Sequence, residues 1–482
     1  MEKKKDILLI NPPSTFGAYE GTKVSAAVQV YPLLSFMCLG AALKRAGFEV
    51  GVVDLGIEAE PYEVLEKTIA ETKPSFVGIT SPTPLFFEVA EISRRAKEKL
   101  GDKVKVIYGG PHATALPEES LEKSTMDVIV IGEGEETIVE ICQGKSLKDI
   151  RGICYKEENR IICNPPRPLI GNLDSLPFPA LDLYDLKRYK SSKLVSGKSP
   201  VSSIETSRGC PRNCSFCNKN ISGRVFRTKS PERVIEEFKY FLNLGIKGFR
   251  VIDDQFAANI DRAKRICEMI LKENLHFSWI LASGIRVDGD YDLEFFKLLK
   301  KTGCRDVGIG FESGDQKSLD SIDKGITLEQ SMNCMKLIKK AGLETVGFFM
   351  LGLPTDTEES LKKTIKFAIK LSPDLAKATI TIPFPGTRLF EQYEKEGRIK
   401  TRDWSKYNIH KVADVYEHPN LSQETLKKYY DLFYWRFYFA PKFLFRRIFK
   451  GIITGRLFLD IYYGLRTFFP KIFSHKVAKP SQ

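Results

Sequence analysis

The chain has 482 residues, too many for one hydrophobic core, so two or three domains are expected. Hydrophobic residues make up 43% and charged residues 28%, which excludes a disordered chain. The net charge of +13 favours an anionic partner without choosing among nucleic acid, a phosphorylated substrate and a membrane surface. Met1–Lys5 is charged, but Ile7–Ile10 is a short apolar run with no cleavage-like segment after it, so no secretory leader is expected. No stretch of about 18 apolar residues appears, so no spanning helix is expected and a cytoplasmic location follows.

The first third alternates strand and helix patterns. Strands are expected at Asp6–Asn11, Glu49–Val53, Ser75–Thr80, Val104–Tyr108 and Val128–Ile131, with helices at Leu34–Ala46, Tyr62–Thr72 and Leu85–Leu100. Apolar strands separated by amphipathic helices imply a doubly wound, Rossmann-like parallel sheet over residues 1–144. Residues 145–195, with Pro165, Pro166, Pro168, Pro177 and Pro179, read as an extended connector that wraps onto a domain. A second alternating series follows over 196–400. Its strands are expected at Ser202–Thr206, Gly248–Ile252, Ser278–Ala282, Asp306–Gly310, Thr345–Leu351 and Lys377–Thr381. Six strand–helix units fall short of a closed eight-stranded barrel, so a partial TIM-type barrel is expected, followed by an α-helical region over 401–482.

The most specific motif is Cys210, Cys214 and Cys217, spaced C-x3-C-x2-C behind Arg208-Gly209. Three thiolates on one loop suit a 4Fe–4S cubane and leave its fourth iron open to a substrate. The alternatives are packing thiols or half of a zinc site. Zinc wants a fourth Cys or His close by, and the next His is His276. The other seven cysteines are widely spaced and read as buried, inert thiols rather than a disulfide framework.

With Phe216 before the last Cys, this motif resembles the radical S-adenosylmethionine superfamily. The resemblance covers roughly 201–399 and implies that S-adenosylmethionine chelates the open iron and is split to a 5′-deoxyadenosyl radical. Later segments resemble the same superfamily in the same order. They imply that Asp253 or Asp254 contacts the methionyl amine, that Ser283 and Arg286 contact the ribose and carboxylate, and that Glu312 lies near the cofactor. Gly352–Thr357 and Pro383–Thr387 match later strand ends, although each segment alone also reads as a turn or cap.

A doubly wound domain ahead of such a barrel resembles the cobalamin-dependent members. Ser81, Thr83, Gly109 and Gly110 stand in segments that resemble those around the corrin's nucleotide tail, where Gly109 and Gly110 allow close backbone approach. Gly132 and Glu133 stand in a segment that resembles one common in this subgroup and are expected to help bind the cofactor. One departure is the absence of histidine from Pro12 to Gly40, where many cobalamin domains carry a cobalt ligand. His112, directly after the glycine pair, reads as a turn or supporting residue rather than a ligand.

The resemblance implies an enzyme with a 4Fe–4S cluster, S-adenosylmethionine and cobalamin that methylates or otherwise modifies an unactivated carbon. An electron donor such as flavodoxin or ferredoxin is implied as a partner. The tail after Leu421 interleaves Lys442, Arg446, Arg447, Lys450, Arg456, Arg466 and Lys471 with aromatic residues, which suits either a membrane interface or a helical cap on the barrel. It points to a hydrophobic, lipid-like substrate and a peripheral place on the inner face of the membrane; nucleic acid is disfavoured. Other readings are a cyclase or oxidase acting on a porphyrin, an RNA-modifying methylthiotransferase, which usually carries a second three-cysteine group, and a non-catalytic cobalamin or redox sensor.

Overall fold

The computed structural model describes residues 4–14, 30–158, 160–189, 199–455 and 457–468. Two sheets organise the chain. The first holds β1 (Ile7–Asn11), β2 (Val50–Asp54), β3 (Phe76–Thr80), β4 (Lys105–Gly109), β5 (Val128–Val130), β6 (Ile153–Glu157) and β7 (Arg160–Cys163) in the order β2-β1-β3-β4-β5-β6-β7. β1 to β5 run parallel, and every residue of β1 is buried, as expected for a strand covered on both faces by helices.

β6 and β7 are a correction to the reading of 145–195 as extended connector. They form an antiparallel hairpin that extends the sheet from β5. Cys154 and Cys163 sit opposite each other in that hairpin and are joined by a disulfide, which corrects their assignment as inert thiols. The rest of the connector does wrap: Ala180 donates to the Met37 carbonyl, and the Tyr189 hydroxyl donates to buried Asp54 at 2.8 Å.

The second sheet is all parallel. Its strands are β8 (Val201–Ile204), β11 (Gly248–Val251), β12 (Ser278–Ile285), β13 (Cys304–Glu312), β14 (Glu344–Leu351) and β15 (Leu375–Ile380), in the order β15-β14-β13-β12-β11-β8. Between β8 and β11, β9 (Ser207–Arg208) and β10 (Arg227–Thr228) pair as a short antiparallel ribbon. Helices alternate with these strands and start on local signals. Ser230 caps the helix Pro231–Asn243 through the Arg233 amide, and Thr327 with Gln330 forms a capping box on Leu328–Ala341.

A six-stranded partial barrel has two edges. β15 is covered by the helix Gln423–Tyr438, and the cover is specific. The Tyr434 hydroxyl meets the Ala378 amide at 3.2 Å and its carbonyl at 3.1 Å. The Tyr438 hydroxyl does the same at Ala376, at 3.2 and 2.9 Å. Two phenols thus satisfy backbone groups that would otherwise invite another strand. Among the described residues no helix is long and apolar enough to cross a membrane.

Candidate cofactor site between the two sheets

The cysteine loop leaves β9 and is pinned by neighbouring strand ends. Asp254, just past β11, accepts the Gly209 amide at 2.9 Å. Ser215 donates to the Ile322 carbonyl and accepts from the Leu389 amide, both at 3.0 Å. The Asn218 side chain donates to the Pro385 carbonyl at 3.2 Å. Gly209 has φ +85°, and a Cβ there would fall 2.2 Å from the Val225 carbonyl oxygen, so this turn admits only glycine.

Among the described residues, no three His, Cys, Asp or Glu side chains form a single-ion site. A cubane is ligated corner by corner, each sulfur to a different iron, so its ligands stand further apart than those of one ion. The donor chemistry fits a cluster: three free thiols on one pinned loop, with the Arg286 guanidinium 3.8 Å from the Cys214 sulfur. Arg286 is buried and held by Asp288 at 2.8 Å. A register shift between Leu281 and Ile285 carries it there; Gly284, at φ +89°, passes so close to Gly308 that a Cβ would sit 2.9 Å from its carbonyl.

Asp253 and Asp254 separate cleanly. Asp253 is buried and accepts from the Thr206 amide at 2.6 Å, the Thr206 hydroxyl at 2.5 Å and the Ser207 hydroxyl at 2.6 Å. Burial raises its pKa, and those donors oppose the rise. Asp254 is exposed beside the loop. Ser283 is exposed at the β12 bulge. Glu312 is buried with φ +59° at a second irregularity, paired with Lys324 at 2.5 Å, and Lys324 lies 6.0 Å over the Phe216 ring. Asp356, in the Gly352–Thr357 segment, accepts from the Gly352 and Leu353 amides and from Ser318 and Ser360, so that stretch is a tied turn.

At the carboxyl edge of the first sheet lies a cavity of about 290 Å³. Gly78, Gly109, Gly110, Gly132 and Gly134 line one side; Glu205, Arg208, Ile221, Ser222 and Ile252 close it from the barrel. At Gly132 a Cβ would meet nothing nearer than the Asn220 and Ile221 carbonyls at 3.9 and 4.0 Å, so this position faces open space. At Gly78 and Gly110 a Cβ would fall 2.8 Å from Leu9 and 2.3 Å from Thr80, so the protein's own packing requires glycine there. The largely apolar cradle, with glycines along one wall and Arg208 and Ser222 as donors on the other, fits the nucleotide tail of a corrin. Ser81 and Thr83 are not on this wall: both are buried beneath it, and Ser81 bonds the Tyr108 hydroxyl at 2.9 Å. His112 is not on the wall either. It packs 4.6 Å from Phe86 and 5.5 Å from Trp404, and burial pushes its pKa down to about 4, so it is a neutral ring in the domain seam.

The family models and the relatives settle which family this is. A model described as the radical SAM superfamily matches residues 204–368, and one described as a B12 binding domain matches 24–142. An uncharacterized methyltransferase of Pyrococcus horikoshii is 35% identical over 473 residues, covering 96% of this chain and 99% of that one. The chain belongs to the radical SAM superfamily. It is an enzyme of the cobalamin-dependent group, and its cofactors are a 4Fe–4S cluster, S-adenosylmethionine and cobalamin. An anaerobic magnesium-protoporphyrin IX monomethyl ester cyclase of Cereibacter sphaeroides is 28% identical over 439 residues, 88% of this chain and 69% of that one. The fold is shared with the cobalamin-dependent S-adenosylmethionine radical enzyme OxsB, solved with aqua-cobalamin bound: TM-score 0.74 at 17% identity, over 100% of this chain and 74% of that one.

Three features of this radical SAM enzyme escape its local motifs. Glu133, in the cavity wall, accepts from Arg208 at 2.9 Å, from Arg227 at 2.9 and 3.0 Å, and from the Ile170 amide at 2.7 Å. Glu135 pairs with Arg208 at 2.6 Å, as does Glu205. Burial works against the charge on Arg208, but Glu205 and Glu135 outweigh it and its pKa rises. The second feature is the charged lumen of the barrel. Arg250 lies 4.2 Å from the Tyr31 ring centroid, and Lys377 makes no ion pair among the described residues. Burial lowers the Lys377 pKa, Arg250 adds to this, and Asp306 opposes it. Asp306 is itself held by Arg305 at 2.7 Å. The third is a basic rim on the cluster loop, where Arg212, Lys219, Arg224 and Arg388 surround Cys214 and Cys217.

Proposed function

We propose that the protein is a radical methyltransferase acting on an unactivated carbon of a hydrophobic substrate that also carries an acidic group. The observation that carries this reading is a shared stretch of chain: Glu205 and Arg208 close the glycine-walled cavity, and Cys210 follows two residues later. When bound, the three cofactors supply one-electron cleavage of a sulfonium and a transferable methyl group. The chain supplies the holding and orienting groups. Cys210, Cys214 and Cys217 are the cluster ligands in this reading. Asp254 bonds Gly209 through one oxygen and keeps the other for the methionyl amine, whereas Asp253 spends both inside the protein. Ser283 and Arg286 suit the ribose and carboxylate, and the Lys324 ion pair keeps Glu312 in place beside Phe216. Gly109, Gly110 and Gly132 face the corrin tail, while Glu133 holds the wall rather than the ligand.

The acidic group on the substrate is supported by Arg250 and Lys377, two basic residues of the lumen that make no direct ion pair among the described residues, Asp306 acting on Lys377 only through its charge. The basic rim at Arg212, Lys219, Arg224 and Arg388 suits an acidic electron donor such as flavodoxin or ferredoxin. The cyclase relative supports a second reading, ring closure. One experiment separates the readings: the full chain, reconstituted anaerobically, is given methyl-deuterated S-adenosylmethionine, a reductant and a cell extract. A labelled product with 5′-deoxyadenosine supports methyl transfer. 5′-Deoxyadenosine with an unlabelled, dehydrogenated product supports ring closure and overturns the methyltransferase reading.

A further inference from the structure

The two last described helices, Pro441–Ile453 and Leu457–Phe468, are amphipathic with the faces reversed. On the first, Phe445, Ile448, Phe449 and Ile452 recur at helical spacing and are 81%, 50%, 68% and 63% exposed. On the second, Phe458, Ile461 and Leu465 do the same, with Phe458 86% exposed. The polar side turns inward. Arg446 donates to Ser372 and Pro373, Lys450 pairs with Glu344 at 2.8 Å and Asp374 at 3.1 Å, and Arg447 pairs with Asp460 at 2.5 Å. A helix pair that turns Arg446, Arg447 and Lys450 inward and shows Phe445, Phe449 and Phe458 is built to meet an apolar phase.

We propose that this helical hairpin seats the protein on the surface of an anionic lipid bilayer, lying in the interface plane. Charge decides between the occupants. Residues 421–482 hold twelve Lys and Arg against three Asp and Glu, nine of the chain's net +13. A second copy would bring an equally positive segment against this one, whereas an anionic leaflet attracts it. Arg436, Lys442 and Arg466 are exposed and make no ion pair among the described residues, so they are free to meet headgroups. Helices of 13 and 12 residues span about 20 Å at 1.5 Å per residue, short of a hydrocarbon core of about 30 Å, so they lie on the bilayer rather than cross it. Arg456, Phe469 and Lys471, part of the same basic aromatic run, lie outside the described residues. This inference does not depend on which substrate carbon is modified.

Deleting the whole tail would also strip Tyr434 and Tyr438 from β15, so point substitutions make the test. The full chain is sedimented with vesicles of phosphatidylcholine, and with vesicles in which about a third of the lipid is phosphatidylglycerol. The wild type binds the anionic vesicles and is released by salt. Phe445→Glu with Phe458→Glu, both solvent-exposed, loses at least about ten-fold in binding while keeping its cluster absorbance. Lys442→Glu with Arg466→Glu weakens binding to anionic vesicles by at least about ten-fold, since each charge is worth roughly five-fold. Wild type that ignores both vesicles overturns the proposal, as does a phenylalanine double variant that binds like wild type. A concentration-dependent dimer that the phenylalanine variant abolishes, with no vesicle binding, assigns the face to a second copy and also overturns it.

Discussion

Glu133→Ala tests how the two domains are joined. In the β9–β10 ribbon Arg208 and Arg227 are direct cross-strand partners, a like-charge pairing that is unfavourable unless an anion lies between them. Glu133 is that anion, and its side chain is 5% exposed against 8% for Arg208 and 7% for Arg227. Arg208 keeps Glu135 and Glu205 after the change, but Arg227 keeps no carboxylate among the described residues. Removing one member of a buried ion pair costs about 3–5 kcal/mol, a large share of the roughly 5–15 kcal/mol that holds a domain folded. Arg208 precedes Gly209 and Cys210, so iron per chain falls along with stability. Urea denaturation followed by circular dichroism reads the first effect, and colorimetric iron assay the second. Glu133→Leu combined with Arg227→Met, which removes both charges, recovers part of the loss. A Glu133→Ala variant within about 0.5 kcal/mol of wild type, with full iron, would refute the reasoning.

Further predictions follow from other contacts. Cys214→Ala abolishes both the 4Fe–4S spectrum and 5′-deoxyadenosine formation; a full spectrum would reject the ligand assignment. Tyr434→Phe with Tyr438→Phe costs about 1 kcal/mol per hydroxyl in urea denaturation and raises aggregation by light scattering, because the β15 edge opens. His112 has a folded pKa of about 4 against an ordinary 6.5, so the unfolded chain binds the extra proton between those values. Its contribution is whole above about pH 6.5 and is lost as pH falls through about 4, by roughly 3 kcal/mol. His112→Phe, which keeps the ring packing, therefore flattens the decline in stability over that range; an unchanged pH curve would contradict it.

Much of the architecture was legible because its signals are local. Strands buried on both faces read as apolar runs, and the helices expected at Leu34–Ala46 and Tyr62–Thr72 are found at Leu34–Arg45 and Pro61–Thr72. The β6–β7 hairpin was hidden because Arg160–Cys163 is only four residues long and Asn164-Pro165-Pro166 follows it directly. The Cys154–Cys163 bond needs that pairing before its spacing means anything. The Glu133 network joins residues up to 94 apart, and Lys324 reaches Glu312 from a loop, so neither leaves a motif. Lys377 sits between two alanines in a short strand, and only the barrel's curvature brings it to Arg250. The tail's composition suited both a helical cap and an apolar interface, but did not show how the two divide, with Gln423–Tyr438 covering the barrel edge and the next two helices turning their apolar faces outward.

The most direct measurement is electron paramagnetic resonance of the anaerobically reconstituted, reduced full chain before and after S-adenosylmethionine is added, with iron counted on the same sample. About four irons per chain and a spectrum that shifts on addition mark a cubane with one corner free of protein. Little or no iron, or a cluster spectrum indifferent to the sulfonium compound, would contradict the claim that Cys210, Cys214 and Cys217 leave that corner open.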